Sequence, residues 1–70
     1  MLTTADQIQA ADTIHIHGLT ARPLMVEDAQ PNERQDGIII TVWMDAPNAG
    51  QMAEIVLNPE TPVLVTHRPE

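Results

Sequence analysis

Thr13-Ile14-His15-Ile16-His17 alternates polar and apolar side chains and stops at Gly18, the period-two pattern of a strand with one buried face. Ile14 and Ile16 belong inside, and Thr13, His15 and His17 outside. A second run over residues 21–28 sets Leu24 and Val26 on one face and Met25 and Glu27 on the other. Pro23 cannot donate to a ladder, so it predicts an edge, a bulge or a bend in that strand. The clearest alternation spans residues 38–45, where Ile38, Ile40, Val42 and Met44 interleave with Ile39, Thr41 and Trp43; this strand should be central. Over residues 51–58, Ala53, Ile55 and Leu57 face in while Met52, Glu54 and Val56 face out. A helix capped by Asn48 competes there, but the β-prone end Glu54-Ile55-Val56-Leu57 favours a strand. Residues 63–66 form a fifth.

The gaps between these runs carry turn chemistry. Residues 30–37 lack periodicity and end in Asp36-Gly37, which predicts a surface loop; residues 46–50 and Pro59-Glu60-Thr61-Pro62 read as turns. Ahead of the first strand, Thr4-Ala5-Asp6-Gln7 matches a capping box and predicts a short helical turn toward Gln9, with an extended arm as the other reading. No repeat, low-complexity tract or linker interrupts the chain. The expectation is therefore an all-β fold in which five strands curl into one small closed barrel with a short N-terminal helical turn, a single domain over residues 1–70.

Composition narrows what such a domain can do. A chain of 70 residues hides only about 60% of the surface its unfolded form exposes. Without cysteine it has no disulfide or thiolate chemistry, so a partner subunit or a histidine metal site remains as extra support. The core must come from branched aliphatic side chains, because Phe and Tyr are absent and there is one Trp. A formal charge of -7, with three Arg and no Lys, repels phosphate and anionic membrane surfaces, and no basic stripe marks a nucleic-acid binder. No apolar run approaches the roughly 18 residues a membrane span needs, and no signal peptide is recognisable. A cytoplasmic protein is expected.

The order of these elements, with Pro59-Glu60-Thr61-Pro62-Val63 before the last strand, resembles an SH3-like barrel. It is similar in layout to short proteins of actinobacteria and their phages, which open on a Gly-Asp-x-hydrophobic stretch. Here that opening is Ala11-Asp12-Thr13-Ile14, a departure that also weakens the link to the KOW-type barrels of transcription and translation proteins. The resemblance implies that the first and last strands lie side by side, that a 3₁₀ turn precedes the last strand, and that the protein is a bacterial or phage accessory protein. It implies nothing catalytic.

Two constellations carry candidate chemistry. His15 and His17 lie on one side of a strand about 7 Å apart by strand rise, and His67 would complete a metal-binding set. By parity, however, His67 follows Val63 and Val65 to the opposite face unless the strand end bends. The alternative reading is two exposed polar residues completing an alternation. Trp43 shares its outer face with Ile39 and is flanked by Met25 and by Met52 or Val56, which makes an apolar patch suited to a protein partner or to self-association. The competing reading is that the segment from Leu2 to Ile8 folds over this patch as a second small core. Catalysis has few parts: the chain has no Ser, Cys, Lys or Tyr, and Glu27 and Asp28 should fall on opposite faces, so no carboxylate pair is presented. The function expected is a non-catalytic protein-interaction module without a cofactor. A regulator of nucleic-acid machinery, as an acidic mimic or a KOW-like barrel, and a histidine metal-binding protein are the alternatives.

Overall fold

A computed structural model describes residues 1–44 and 49–69, so the end of the third expected strand at Asp45, most of the turn after it and the Asn48 cap lie outside the described residues. Six strands form one antiparallel sheet: β1 (Leu2–Thr4), β2 (Thr13–His15), β3 (Leu24–Pro31), β4 (Ile38–Trp43), β5 (Met52–Leu57) and β6 (Pro62–His67). Their order across the sheet is β1-β6-β2-β3-β4-β5, so the strand at residues 13–15 does lie beside the last one. Residues 52–57 are a strand and not a helix.

The N-terminal segment and the start of β3 depart from the expectation. Both N-terminal readings hold in sequence: Leu2–Thr4 is an extended arm that pairs with β6 as a sixth strand, and Ala5–Gln7 is a 3₁₀ turn. Thr4 makes no side-chain cap to that turn, because its hydroxyl bonds the Asp6 carboxylate instead of a backbone N–H. The 3₁₀ turn thus precedes the expected first strand, while Asn58 to Thr61 is a β-turn closed by Thr61 N–H to the Asn58 carbonyl, 2.9 Å. Pro23 lies outside β3, whose ladder begins one residue later, where an N–H is again available.

The sheet is not closed into a barrel. Among the described residues no ladder joins β5 to β1, and each keeps one free edge. Closure requires a matched tilt and stagger of strands around the whole ring, whereas here Ala5, from the 3₁₀ turn, and Ile8, just after it, join the core. The turn is held there by Ala5 N–H to Thr61 O, 2.9 Å, and Asp6 N–H to Pro59 O, 3.1 Å.

The inner face follows the alternation closely. Ile14, Ile16, Val26, Ile38, Ile40, Val42, Val63 and Val65 form one buried cluster with Ala5 and Ile8, and Leu24, Ala53, Ile55 and Leu57 pack at its rim. β-Branched side chains suit this arrangement because their restricted χ1 fits a pleated, half-buried surface. Gly37, at the entry to β4, is buried where an added Cβ would stand 3.0 Å from Asn32 Nδ2, so a larger residue there would press on the Asn32 amide that bonds Asp36.

Asp12 is the one buried charged residue among those described, with no exposed surface. Its carboxylate accepts Arg68 Nε at 2.9 Å, Arg68 Nη2 at 2.8 Å and Gln9 N–H at 2.9 Å. Arg68 also donates to the Gln7 carbonyl, 3.1 Å. The guanidinium hydrogen bonds hold the Asp12 carboxyl below the usual carboxylate range, against burial, which pushes the other way. Ala11 beside it has φ +72°, and it is the third residue of a turn closed by Asp12 N–H to Gln9 O, 3.2 Å. Ala11 N–H to Val26 O, 2.8 Å, and Val26 N–H to Asp12 O, 2.7 Å, set both residues against Val26. That is a bulge whose first position favours glycine, which explains physically why a Gly-Asp opening suits such a strand.

Two outcomes follow. Replacing Ala11 with Gly should relieve the left-handed backbone and stabilise the fold by about 1 kcal/mol, raising Tm by about 4–8 °C in a thermal melt. Because the folded Asp12 pKa is lowered, its contribution is complete above the unfolded value of about 3.9 and fades as pH falls through the folded value. Urea midpoints from about pH 7 to pH 2 should therefore fall more steeply at the acid end for the parent than for Asp12→Asn, and Asp12→Ala should cost about 2 kcal/mol at neutral pH.

Candidate functional site

The outer face of the β3-β4-β5 half is organised by a second bulge. Val26 pairs with Val42 and Asp28 with Thr41, leaving Glu27 as the extra residue. Val26 and Ala29 both pack on the core side, so the two residues between them, Glu27 and Asp28, both emerge on the outer face. This corrects the expectation that they lie on opposite faces. The signal was present in the sequence as the three-residue step from Val26 to Ala29, which breaks a strict period of two.

Glu27 has a definite task there. Its Oε2 accepts the indole Nε1–H of Trp43 at 2.9 Å, pinning the ring against the sheet. Trp43 is half-buried, and with Arg22, Pro23, Leu24, Met25 and Met44 it lines a shallow open depression. Cross-strand pairs extend the surface: Trp43 faces Met52, Thr41 faces Glu54, and Ile39 faces Val56. Asp28, Thr41 and Glu54 therefore form one polar row across three strands, with the apolar pairs Trp43–Met52 and Ile39–Val56 on either side. Met25, Met52 and Val56 remain 49%, 54% and 63% exposed.

The N-terminal segment does not cover this patch. Leu2–Thr4 lies beyond β6 at the far edge of the sheet, and Ala5 and Ile8 enter the main core. All five residues expected to make an interface, Met25, Ile39, Trp43, Met52 and Val56, thus share one surface, and the residues missed are Glu27, Asp28 and Glu54 between them.

The histidines are arranged differently. His15 is half-buried on β2 opposite Leu64, whereas β2 ends there and His17 projects from the following turn, in which Ile16 O accepts Leu19 N–H and Thr20 N–H, both at 3.0 Å. His67 pairs with Thr13, because a register shift at Thr66 reverses the parity of the end of β6 and turns His67 to the face of Thr13 and His15. Even so, among the described residues no three His, Cys, Asp or Glu side chains cluster closely enough to hold a metal ion.

The Glu27–Trp43 bond has a direct readout, since Trp43 is the only tryptophan. Glu27→Ala should free the indole to water and shift its fluorescence emission to the red, with a stability cost of about 1 kcal/mol. An emission spectrum unchanged from the parent would show that the ring is held by packing alone.

Comparison of the chain with protein-family models, with curated proteins and with solved structures finds no match to any of the three.

Proposed function

We propose that the chain is a non-catalytic protein-interaction module, an accessory protein that holds a protein partner or a second copy of itself on the outer face around Trp43. The observation that carries this reading is a partition of side-chain types. The buried core consists of Ala, Ile and Val alone, while Met1, Met25 and Met52 are exposed and Trp43 and Met44 are half-exposed. Methionine is the apolar side chain that adapts most readily to an incoming surface, and tryptophan is the residue most enriched where binding energy concentrates. In a chain this short, large apolar side chains withheld from the core cost stability; Met25, Met52 and Val56 gather with Trp43 on one sheet face, which supports a use outside the core, whereas the exposed Met1, Leu2 and Leu64 lie on the β1–β6 side.

Glu27 supports the same reading. A tryptophan already held by a hydrogen bond loses less rotamer freedom when a partner docks, which leaves more of the contact energy for affinity. Ile39 and Val56, facing each other across β4 and β5, extend the apolar area away from Trp43. The charge of -7 goes against phosphate as the ligand and favours a protein with a neutral or basic surface. The adjacency of β2 and β6 supports a likeness to SH3-like chains in strand layout, though not in closure.

Two variants test the reading. Trp43→Ala should weaken capture of the partner, or self-association, by about thirtyfold or more, and Met52→Glu, at a site already exposed, should do the same without touching the core. Far-UV circular dichroism checks that both remain folded. Sedimentation equilibrium and affinity capture with parent and variant bait provide the measurement; equal oligomer mass and equal retention for all three proteins would sink the proposal.

A further inference from the structure

β5 ends the sheet on the side of the Trp43 face, and its edge differs from that of β1. Natural edge strands are protected by shortness, proline, a bulge or charged side chains, lysine above all, and Glu54 is the one charge on β5. β1 has only three residues. β5 runs for six residues, Met52–Leu57, in unbroken register with β4, and contains neither proline nor lysine.

The phase of the β4–β5 ladder shows which backbone groups face away from β4. Met44 N–H bonds the Gln51 carbonyl at 2.8 Å, so that pair is hydrogen-bonded. Antiparallel pairs alternate, which makes Val42–Ala53, Ile40–Ile55 and Ile38–Leu57 the other bonded pairs. The N–H and C=O groups of Met52, Glu54 and Val56 consequently point away from β4, and their side chains are all exposed on the outer face.

We infer that this edge takes an extended, cationic segment of a partner protein as an added antiparallel strand, next to the Trp43 face. The inference rests on the interaction-module reading and names its partner. Residues opposite Met52, Glu54 and Val56 share the outer face with them, so the segment that fits has apolar, basic and apolar side chains at alternate positions. The basic side chain meets Glu54, which closes the row begun by Asp28 and Thr41. Charge argues against a second copy: each chain carries -7, and a two-fold pairing centred on β5 sets Glu54 against its own copy. An opposite charge at that position also speeds encounter at low salt.

The probe is the blocked peptide acetyl-Thr-Val-Thr-Arg-Thr-Val-Thr-amide, titrated into the ¹⁵N-labelled full chain at low salt and followed by amide shifts. Saturable shifts at Met52, Glu54 and Val56 are expected, larger than those at Ala53, Ile55 and Leu57. N-methylation of the Val, Arg and Val residues should abolish them, and N-methylation of the inner Thr residues should leave them. Replacing Arg with Glu in the peptide should weaken binding roughly tenfold or more. No saturable shift at the β5 edge, equal responses to the two methylated peptides, or a dimer seen in sedimentation that involves the same amides without peptide would each overturn the inference. If the edge fails these tests while partner capture still depends on Trp43, strand addition is wrong and the face reading survives. If capture is also indifferent to Trp43→Ala, both are wrong.

Discussion

Everything in this fold is arranged around a carboxylate that has no access to water. Asp12 lies at the start of β2, and Arg68 follows the end of β6, 56 residues later. A buried charge without compensation is unsustainable, so the C-terminal end of β6 must return to the start of β2. The fork of the guanidinium meets both carboxylate oxygens, while Gln9 N–H and the Gln7 carbonyl take the remaining bonds. Four segments are fixed at once: the 3₁₀ turn, the turn at residues 9–12, β2 and the tail of β6. Since Ala5 and Ile8 fill the core from that same turn, the polar cluster and the apolar core position each other.

The main lines of the fold were legible from period alone. Ile14, Ile16, Ile38, Ile40 and Val42 are buried where alternation puts them, and the outward assignment of Met25, Met52 and Val56 holds as well. What alternation could not supply was register. At Glu27 and again at Thr66, one extra residue shifts the pairing, and from each point onward a strict period of two assigns the wrong face. Asp28 was misassigned for that reason, and His67 reaches the face of Thr13 through the irregular strand end that its parity left as the exception. β1 was hidden for another: Leu2–Thr4 is too short for a periodic signal and becomes a strand only because β6 offers an edge. The Asp12–Arg68 pair depends on a contact between opposite ends of the chain, which no local pattern carries.

Closure was overestimated because counting strands says nothing about the strand that seals the ring. β6 spends its second edge on β1, and the core is completed by a turn instead of a ladder. The sheet consequently retains an edge at β5, and Ala53, Ile55 and Leu57 stand at the rim of the core instead of its centre. Openness of this kind leaves β5 at an edge of the sheet, paired on one side by β4.

The bulge at Glu27 joins these properties physically. An extra residue in β3 increases local twist and bends the strand, and Leu24 and Met25 pair with β2 while Val26 and residues 28–31 pair with β4. That bend carries the sheet around its core. The same extra residue turns two successive carboxylates outward, one to bond the Trp43 indole and one to start the polar row that ends at Glu54. Deleting Glu27 would restore ordinary alternation with Asp28 still outward and Ala29 still inward, but it would remove the bond to the Trp43 indole together with the bulge, so the device that bends the strand is also the one that holds the tryptophan.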